Sequence, residues 1–162
     1  MAAVFTNILK AVQEAVKSLS LEDVLDPNVV CLKAPIDRKS NFPGMPGVII
    51  APFGAPRISP REGTNERDDV QYPVVCVTLA ASNQDQSTNL DRHMQWHESI
   101  RKRFIHQRLS NVTGVSVATA ALLTTMCYTF VDPRDTFQTG AFLKGYDAGG
   151  FVMRFVSRET RG

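Results

Sequence analysis

The sequence has 162 residues, of which 43% are hydrophobic and 21% charged, the composition of an ordinary folded domain. Its formal net charge of +2 is too small to indicate binding to nucleic acid or to an anionic membrane. Three widely separated cysteines argue against a disulfide framework and a zinc site, and predict buried free thiols. We find no signal peptide pattern and no stretch as long as a membrane span. We therefore expect a single domain, residues 1–162, made in the cytosol.

An amphipathic helix is predicted at the start of the chain. Apolar residues recur there at three- and four-residue spacing over residues 5–19, and polar residues fill the other side. Short apolar runs predict strands at residues 29–33 and 48–51. A loop dense in proline and glycine joins these strands, and a second long loop follows at residues 52–63.

The clearest strand signal lies at residues 69–81, where apolar side chains alternate and then occupy both faces. Pro73 has no N–H, so we expect it at a sheet edge or a bulge, where no partner strand needs one. A polar cluster leads into this strand. We define it as Glu66, Arg67, Asp68 and Asp69. The cluster is a candidate for recognition between subunits, and equally for a salt-bridged turn that only anchors the strand.

A second helix is predicted from about residue 90 to residue 109. Thr88 or Asn89 is its predicted N-cap, because both side chains accept hydrogen bonds from the free N–H groups of a first turn. Asn111 and Gly114 are residues typical of a helix end.

The C-terminal part is predicted to be mostly strand. Residues 115–131 are rich in β-branched side chains and predict strand with a break near residues 120–122. Residues 132–150 are rich in glycine and predict a long loop, and residues 151–158 alternate as a closing strand. The resulting order predicts an α+β fold, in which a mostly antiparallel or mixed sheet is covered by two helices.

The sequence shows no catalytic constellation. It has neither a glycine-rich phosphate loop nor a nucleophile elbow. His93 and His97 have the spacing of zinc ligands on a helix, but Met94 replaces the glutamate of the metalloprotease motif. We interpret them as exposed histidines on a polar helix face. The cysteines fall in predicted core strands, where thiols are inert. We expect no enzyme activity, no cofactor and no metal.

Three segments resemble those of the tail terminator (tail-completion) proteins of tailed bacteriophages. The first is the run at residues 63–70, followed by Tyr72-Pro-Val. The second is residues 96–104, which are similar to a Trp-Arg-x-x-Ile-Arg-x-x-Phe pattern, with His97 in place of the arginine. The third is residues 46–52, and the order of elements over residues 1–158 is also similar.

This resemblance implies a structural virion protein at the head–tail junction, assembled in the cytoplasm of the host bacterium. Such a protein forms a hexameric ring that caps the tail tube and joins it to the connector. The partners implied are further copies of the chain, the tail tube protein, a connector or adaptor protein, and DNA in transient passage through the ring. No membrane is involved.

The resemblance also gives roles to particular segments. The loops at residues 35–47, 52–68 and 132–150 would reach neighbouring subunits or the next ring, and the polar cluster would lie between subunits or anchor the strand. Basic residues of the second helix region would face the lumen or a partner. These residues are Arg101, Arg103 and Arg108.

Other functions fit the same residues. A neighbouring head–tail adaptor or stopper protein is the nearest alternative, because it has the same task of joining rings. The others are a small cytosolic enzyme with a Cys/His or acidic site and a small nucleic-acid-binding regulator. The spread of the helix arginines around its exposed arc favours a solvated face over nucleic-acid binding.

Overall fold

A computed structural model describes residues 3–34, 42–58, 66–81, 86–116, 119–131 and 147–160. The helices are α1 (Val4–Ser18) and α2 (Gln86–Phe104). The strands are β1 (Val29–Cys31), β2 (Gly47–Pro52), β3 (Arg57–Ile58), β4 (Arg67–Ala80), β5 (Met126–Val131) and β6 (Asp147–Thr160). Short 3₁₀ turns lie at Asp26–Asn28, Leu109–Asn111 and Ala120–Leu123. Within these residues, no helix is long and apolar enough to cross a membrane.

The strands form one six-stranded sheet in the order β1-β2-β4-β6-β5, and β3 also pairs with β4. β1 runs parallel to β2, whereas the pairings of β4 with β2, β3 and β6, and of β5 with β6, are antiparallel. The longest pairing joins β4 to β6 along the whole length of both strands. The predicted α+β fold with a mixed sheet is confirmed.

Both helices pack on one side of the sheet, which we call the helix face. α1 buries an apolar stripe centred on Ile8 and Val12, and α2 buries Trp96, Ile100 and Phe104 in the same core. The side chains of β4 alternate between this core and a second apolar cluster. The second cluster lies on the opposite side, which we call the outer face. It contains Ile49, Ala51, Val75, Val77, Leu79, Ala148 and Val152.

Pro73 lies in the central strand β4, although a sheet edge or a bulge was predicted. Its carbonyl accepts a hydrogen bond of 2.9 Å from the N–H of Phe53, so its nitrogen points toward the same neighbour in an antiparallel ladder. At that place β2 has ended at Pro52 and β3 has not yet begun. The nitrogen of Pro73 therefore faces the gap between β2 and β3. As expected, no partner strand needs an N–H at this position.

Helix α2 begins and ends earlier than predicted. Thr88 and Asn89 lie inside its first turns and not at the N-cap, and the Asn89 amide donates to the carbonyl of Ala81 at 3.1 Å. After Phe104 the backbone turns through His106 at a positive φ of 56°. The His106 N–H then donates to the Cys127 carbonyl at 3.0 Å, so the chain leaves the helix to join β5.

The C-terminal half differs from the prediction in two places. Among the described residues of the range 115–131, only Met126–Val131 form a strand, and a 3₁₀ turn lies where the break was predicted. Residues 147–150, predicted as the end of a loop, are the beginning of β6. The predicted loops also fall largely on residues 35–41, 59–65 and 132–146, which lie outside the described residues.

Substitution of a core methionine tests the packing of the β4–β6 pair. Met153 on β6 is fully buried, whereas Met94 on α2 is 53% exposed. We expect Met153→Ala to lower the free energy of unfolding by about 2–4 kcal/mol, because it removes buried methylenes and leaves a cavity. The matched variant Met94→Ala should change it by no more than about 0.5 kcal/mol. Urea denaturation measures both values, and equal effects would contradict the packing described here.

Candidate functional site

The polar cluster lies at the end of the β4–β6 pair. Its last residue, Asp69, lies directly opposite Arg158 in the strand register. The Arg158 guanidinium donates to both oxygens of the Asp69 carboxylate, at 2.8 and 2.9 Å. This paired donation holds the pKa of Asp69 below its usual value. The pair cross-links the two longest strands on the outer face.

The other members of the polar cluster lie further out along β4. Glu66 and Arg67 are exposed, and Asp68 is partly buried. The neighbouring strand adds Glu159, whose carboxylate accepts a hydrogen bond from the Tyr72 hydroxyl. The cluster is thus anchored at its Asp69 end, and its other residues carry charges of both signs.

A groove crosses the outer face beside this pair. Its volume is about 600 Å³, and its walls include Gln71, Arg154 and Arg158. Tyr128 and Thr129 of β5 close one end. A smaller hollow continues the groove toward β3, where Phe53 and Arg57 lie beside Gln71 and Arg154. We call the combined feature the outer groove, and it extends across the sheet from β3 to β5.

The outer groove carries excess positive charge. Arg57, Arg154 and Arg158 contribute guanidinium groups, and Asp69 contributes a carboxylate. Within the described residues, neither Arg57 nor Arg154 forms an ion pair. Arg154 and Arg158 alternate with apolar residues along β6, but only the strand register shows which side chains accompany them.

The prediction that His93 and His97 are exposed is wrong. His93 is 1% exposed and His97 is partly buried, because both point from α2 onto the sheet. A Cβ added at Gly149 of β6 would lie 3.1 Å from the His97 ring and 3.3 Å from the His93 ring. The glycine that made residues 147–150 look like a loop therefore allows the two histidines to approach the strand.

The two histidines share one hydroxyl group. Thr78 Oγ1 lies 2.7 Å from His93 Nδ1, 2.9 Å from His97 Nε2 and 3.2 Å from the Gly149 carbonyl. A hydroxyl has one proton and accepts two hydrogen bonds. All three contacts are satisfied when Thr78 donates to Gly149 and accepts an N–H from each neutral ring. His93 Nε2 then carries no proton and lies 3.7 Å from Asp147 Oδ1.

This arrangement stabilises neutral histidines. Burial lowers the pKa of His93, and burial together with the neighbouring His93 lowers the pKa of His97 from 6.5 to about 4. In the part of the chain that the structure describes, no group of three His, Cys, Asp or Glu residues is placed to hold a metal ion. We interpret the histidines as a polar link between α2 and the sheet.

The remaining residues singled out by the sequence lie elsewhere. Arg103 donates to the Thr113 carbonyl at 2.9 Å and thereby holds the segment after α2 against the helix. Arg101 and Arg108 are exposed near the C-terminal end of α2. They lie on the helix side of the molecule and do not join the outer groove or the polar cluster.

The prediction of buried free thiols is confirmed for two of the three cysteines, whereas Cys31 is only partly buried. All three are free, and Cys76 and Cys127 are buried. Burial raises the pKa of the Cys31 thiol to about 11 and that of Cys127 to about 12, and it also raises the pKa of Cys76. The thiolate needed for nucleophilic attack is therefore scarce at neutral pH.

No family model matches the chain, and no curated protein matches it. Among solved structures, the chain is similar to one in the virion of a native gene transfer agent (GTA) particle. The TM-score is 0.47 and the sequence identity is 9%, over 99% of this chain and 100% of the other. At these values the likeness carries no argument about function.

The contact of His93 and His97 with Thr78, which we call the histidine link, predicts that stability depends on pH. Because the folded state lowers the histidine pKa values, the unfolded chain binds more protons between pH 6.5 and about pH 4. The contribution of the neutral histidines to the free energy of unfolding should therefore be fully present above pH 6.5 and decrease as the pH falls toward 4. Over this range, the free energy of unfolding of the His97→Gln variant should decrease by about 3 kcal/mol less than that of the wild type. Urea denaturation at each pH measures both values.

His106 provides the matched control. It is exposed, and asparagine tolerates its positive φ. His106→Asn should keep the wild-type pH profile. If His97→Gln also kept that profile, the stated role of the histidine link would be wrong.

Proposed function

We propose that this chain is a non-enzymatic structural protein of a virion, located at the head–tail junction. It forms a hexameric ring that caps the tail tube and joins it to the connector, as a tail terminator does. The observation that carries the proposal is that two unlike strand edges, one at β3 and one at β5, are open and have exposed apolar side chains. The resemblance of the sequence motifs described above to those of tail terminators supports this class of virion protein.

One open edge lies at β3. This strand pairs with β4 on one side, and no described residue pairs with its other side. Ile58 is 63% exposed there, and Phe53 in the preceding turn is 57% exposed. Unpaired strand edges with exposed apolar side chains readily associate with another chain.

The other open edge lies at β5. Bridges from Ile105 and Arg108 cover its first residues. Along residues 128–131, the described part of the chain offers no partner other than β6. Tyr128 is 51% exposed, and Leu123 in the preceding turn is 58% exposed. This edge is also apolar, but its side chains and backbone direction differ from those at β3.

Two unlike surfaces on one molecule favour a heterologous contact, in which one surface of each copy binds the other surface of the next. Such contacts form closed rings when the rotation between copies closes. A ring meets the geometric requirement of a protein that ends a tube and leaves a passage for DNA. The sheet supplies a rigid body between the two contacts, because β4 and β6 pair along their whole length.

The apolar residues of the α2 motif that resembles tail terminators are buried against the sheet. Trp96, Ile100 and Phe104 are 2%, 0% and 0% exposed, so the pattern resembling tail terminators fixes α2 to the sheet. We assign Glu66, Arg67 and Asp68 to contacts between subunits or rings, and Arg101 and Arg108 to the lumen or a partner.

The proposal predicts the mass and shape of the purified protein. Light scattering behind a sizing column should give a multiple of the 17.9 kDa chain, and negative-stain images of that peak should show rings with a central hole. Tyr128→Glu and Ile58→Glu should each reduce the assembled fraction at least tenfold, because a charge at a desolvated edge opposes association.

Met94→Glu is the matched control, since Met94 is also an exposed apolar residue but lies on α2, away from both edges. It should assemble as the wild type does. A wild-type protein that stays monomeric at high concentration, and that is absent from purified particles of its virus, would contradict the proposal.

A further inference from the structure

The outer groove has the features of a binding surface for an acidic and apolar segment. Arg57 and Arg154 are exposed and form no ion pair within the described residues. Both line the groove with Gln71 between them. The aromatic rings of Phe53 and Tyr128 lie at its two ends, 57% and 51% exposed. Guanidinium groups bind carboxylates through paired hydrogen bonds, and the rings offer apolar area beside them.

The same chain carries a surface of matching chemistry. Between α1 and β1, Leu25 is 66% exposed, the largest value among the exposed apolar side chains of the described residues. Glu22 and Asp26 flank it and are also exposed. Asp23 is already paired with Arg92 of α2, at 3.1 Å, which holds this turn in place. We call residues 22–26 the acidic corner.

The acidic corner and the outer groove lie on opposite faces of the sheet. The corner leads through the 3₁₀ turn Asp26–Asn28 into β1, the strand at one end of the sheet order. Tyr128 and Thr129, which line one end of the groove, belong to β5, the strand at the other end of that order. The corner is also tied to α2 on the helix face, whereas the groove lies on the outer face. A chain therefore cannot place its own corner in its own groove.

We propose that the outer groove binds the acidic corner of the next copy of this chain. In this contact the Leu25 side chain packs against the groove, and the Glu22 and Asp26 carboxylates pair with Arg57 and Arg154 of the neighbour. The inference rests on the ring of the proposed function and adds, beside the contacts of the β3 and β5 edges, a contact between subunits on the outer face. Charge complementarity selects this occupant, because the groove has excess positive charge and the corner has unpaired carboxylates on the described surface.

Charge reversal tests the contact in the whole chain. Arg154→Glu places a carboxylate in the groove, and Asp26→Lys places an ammonium group on the corner. Each variant alone sets like charges against each other at every contact between identical copies. We expect each to weaken assembly at least tenfold, measured as the midpoint concentration in light scattering. Lys10→Glu on α1 and Asp91→Lys on α2, both exposed, are the matched controls and should assemble normally.

Mixing the two variants gives the decisive result. In an alternating assembly, the carboxylate introduced into the groove of one variant meets the ammonium group introduced on the corner of the other. The remaining contacts keep the original Arg154 and Asp26. The equimolar mixture should therefore recover assembly, as should the double variant Arg154→Glu with Asp26→Lys. Circular dichroism and thermal unfolding of each variant show that the fold is intact.

The outcomes separate this inference from the proposed function. If the wild type forms rings and both single variants do so equally well, the groove–corner contact is wrong and the ring stands. If the variants fail but the mixture and the double variant are not restored, the groove has a different occupant and the inference is overturned. Loss of attachment to another virion protein with normal ring formation would also overturn it. A wild type that never assembles would contradict both proposals.

Discussion

The antiparallel pairing of β4 with β6 is the interaction on which the rest of the structure depends. These strands of 14 residues pair along their whole length, and each turns alternate side chains to opposite faces. The helix face receives the aromatic and aliphatic side chains that hold α1 and α2. The outer face receives Asp69, Arg154 and Arg158. A shift of the register by one residue would exchange these sets and lose both the core and the outer groove.

The histidine link shows how one polar contact fixes a helix on this pair. Thr78 and Gly149 lie opposite each other in the β4–β6 register, and together they form the site that His93 and His97 enter. Glycine provides the space and threonine provides the hydroxyl group. His93 Nδ1 and His97 Nε2 are thereby hydrogen-bonded with neutral rings, which avoids the cost of a buried charge. Trp96, on the same helix, then lies in the apolar core.

Much of the fold could be predicted from the sequence, because α1 and β4 have regular apolar periods. The start of α2 was misplaced because Thr88 and Asn89 are good N-caps, while in the structure Asn89 binds Ala81 and Asp147. The start of β6 was missed because glycine is typical of loops. Here Gly149 leaves space for His93 and His97, which are distant in the sequence. The candidate site was less predictable. Asp69 and Arg158 are separated by 89 positions, and only the register brings them together.

Hydrogen–deuterium exchange of assembled and single chains tests the central claim most directly, namely that unlike edges of the sheet join neighbouring copies. We predict that assembly slows exchange of the backbone amides at residues 128–131 of β5 and at Arg57–Ile58 of β3. These amides border the two open edges, and a neighbour would exclude water from them. Unchanged exchange at both edges in an assembled sample would contradict this claim, because the copies would then be joined through other surfaces.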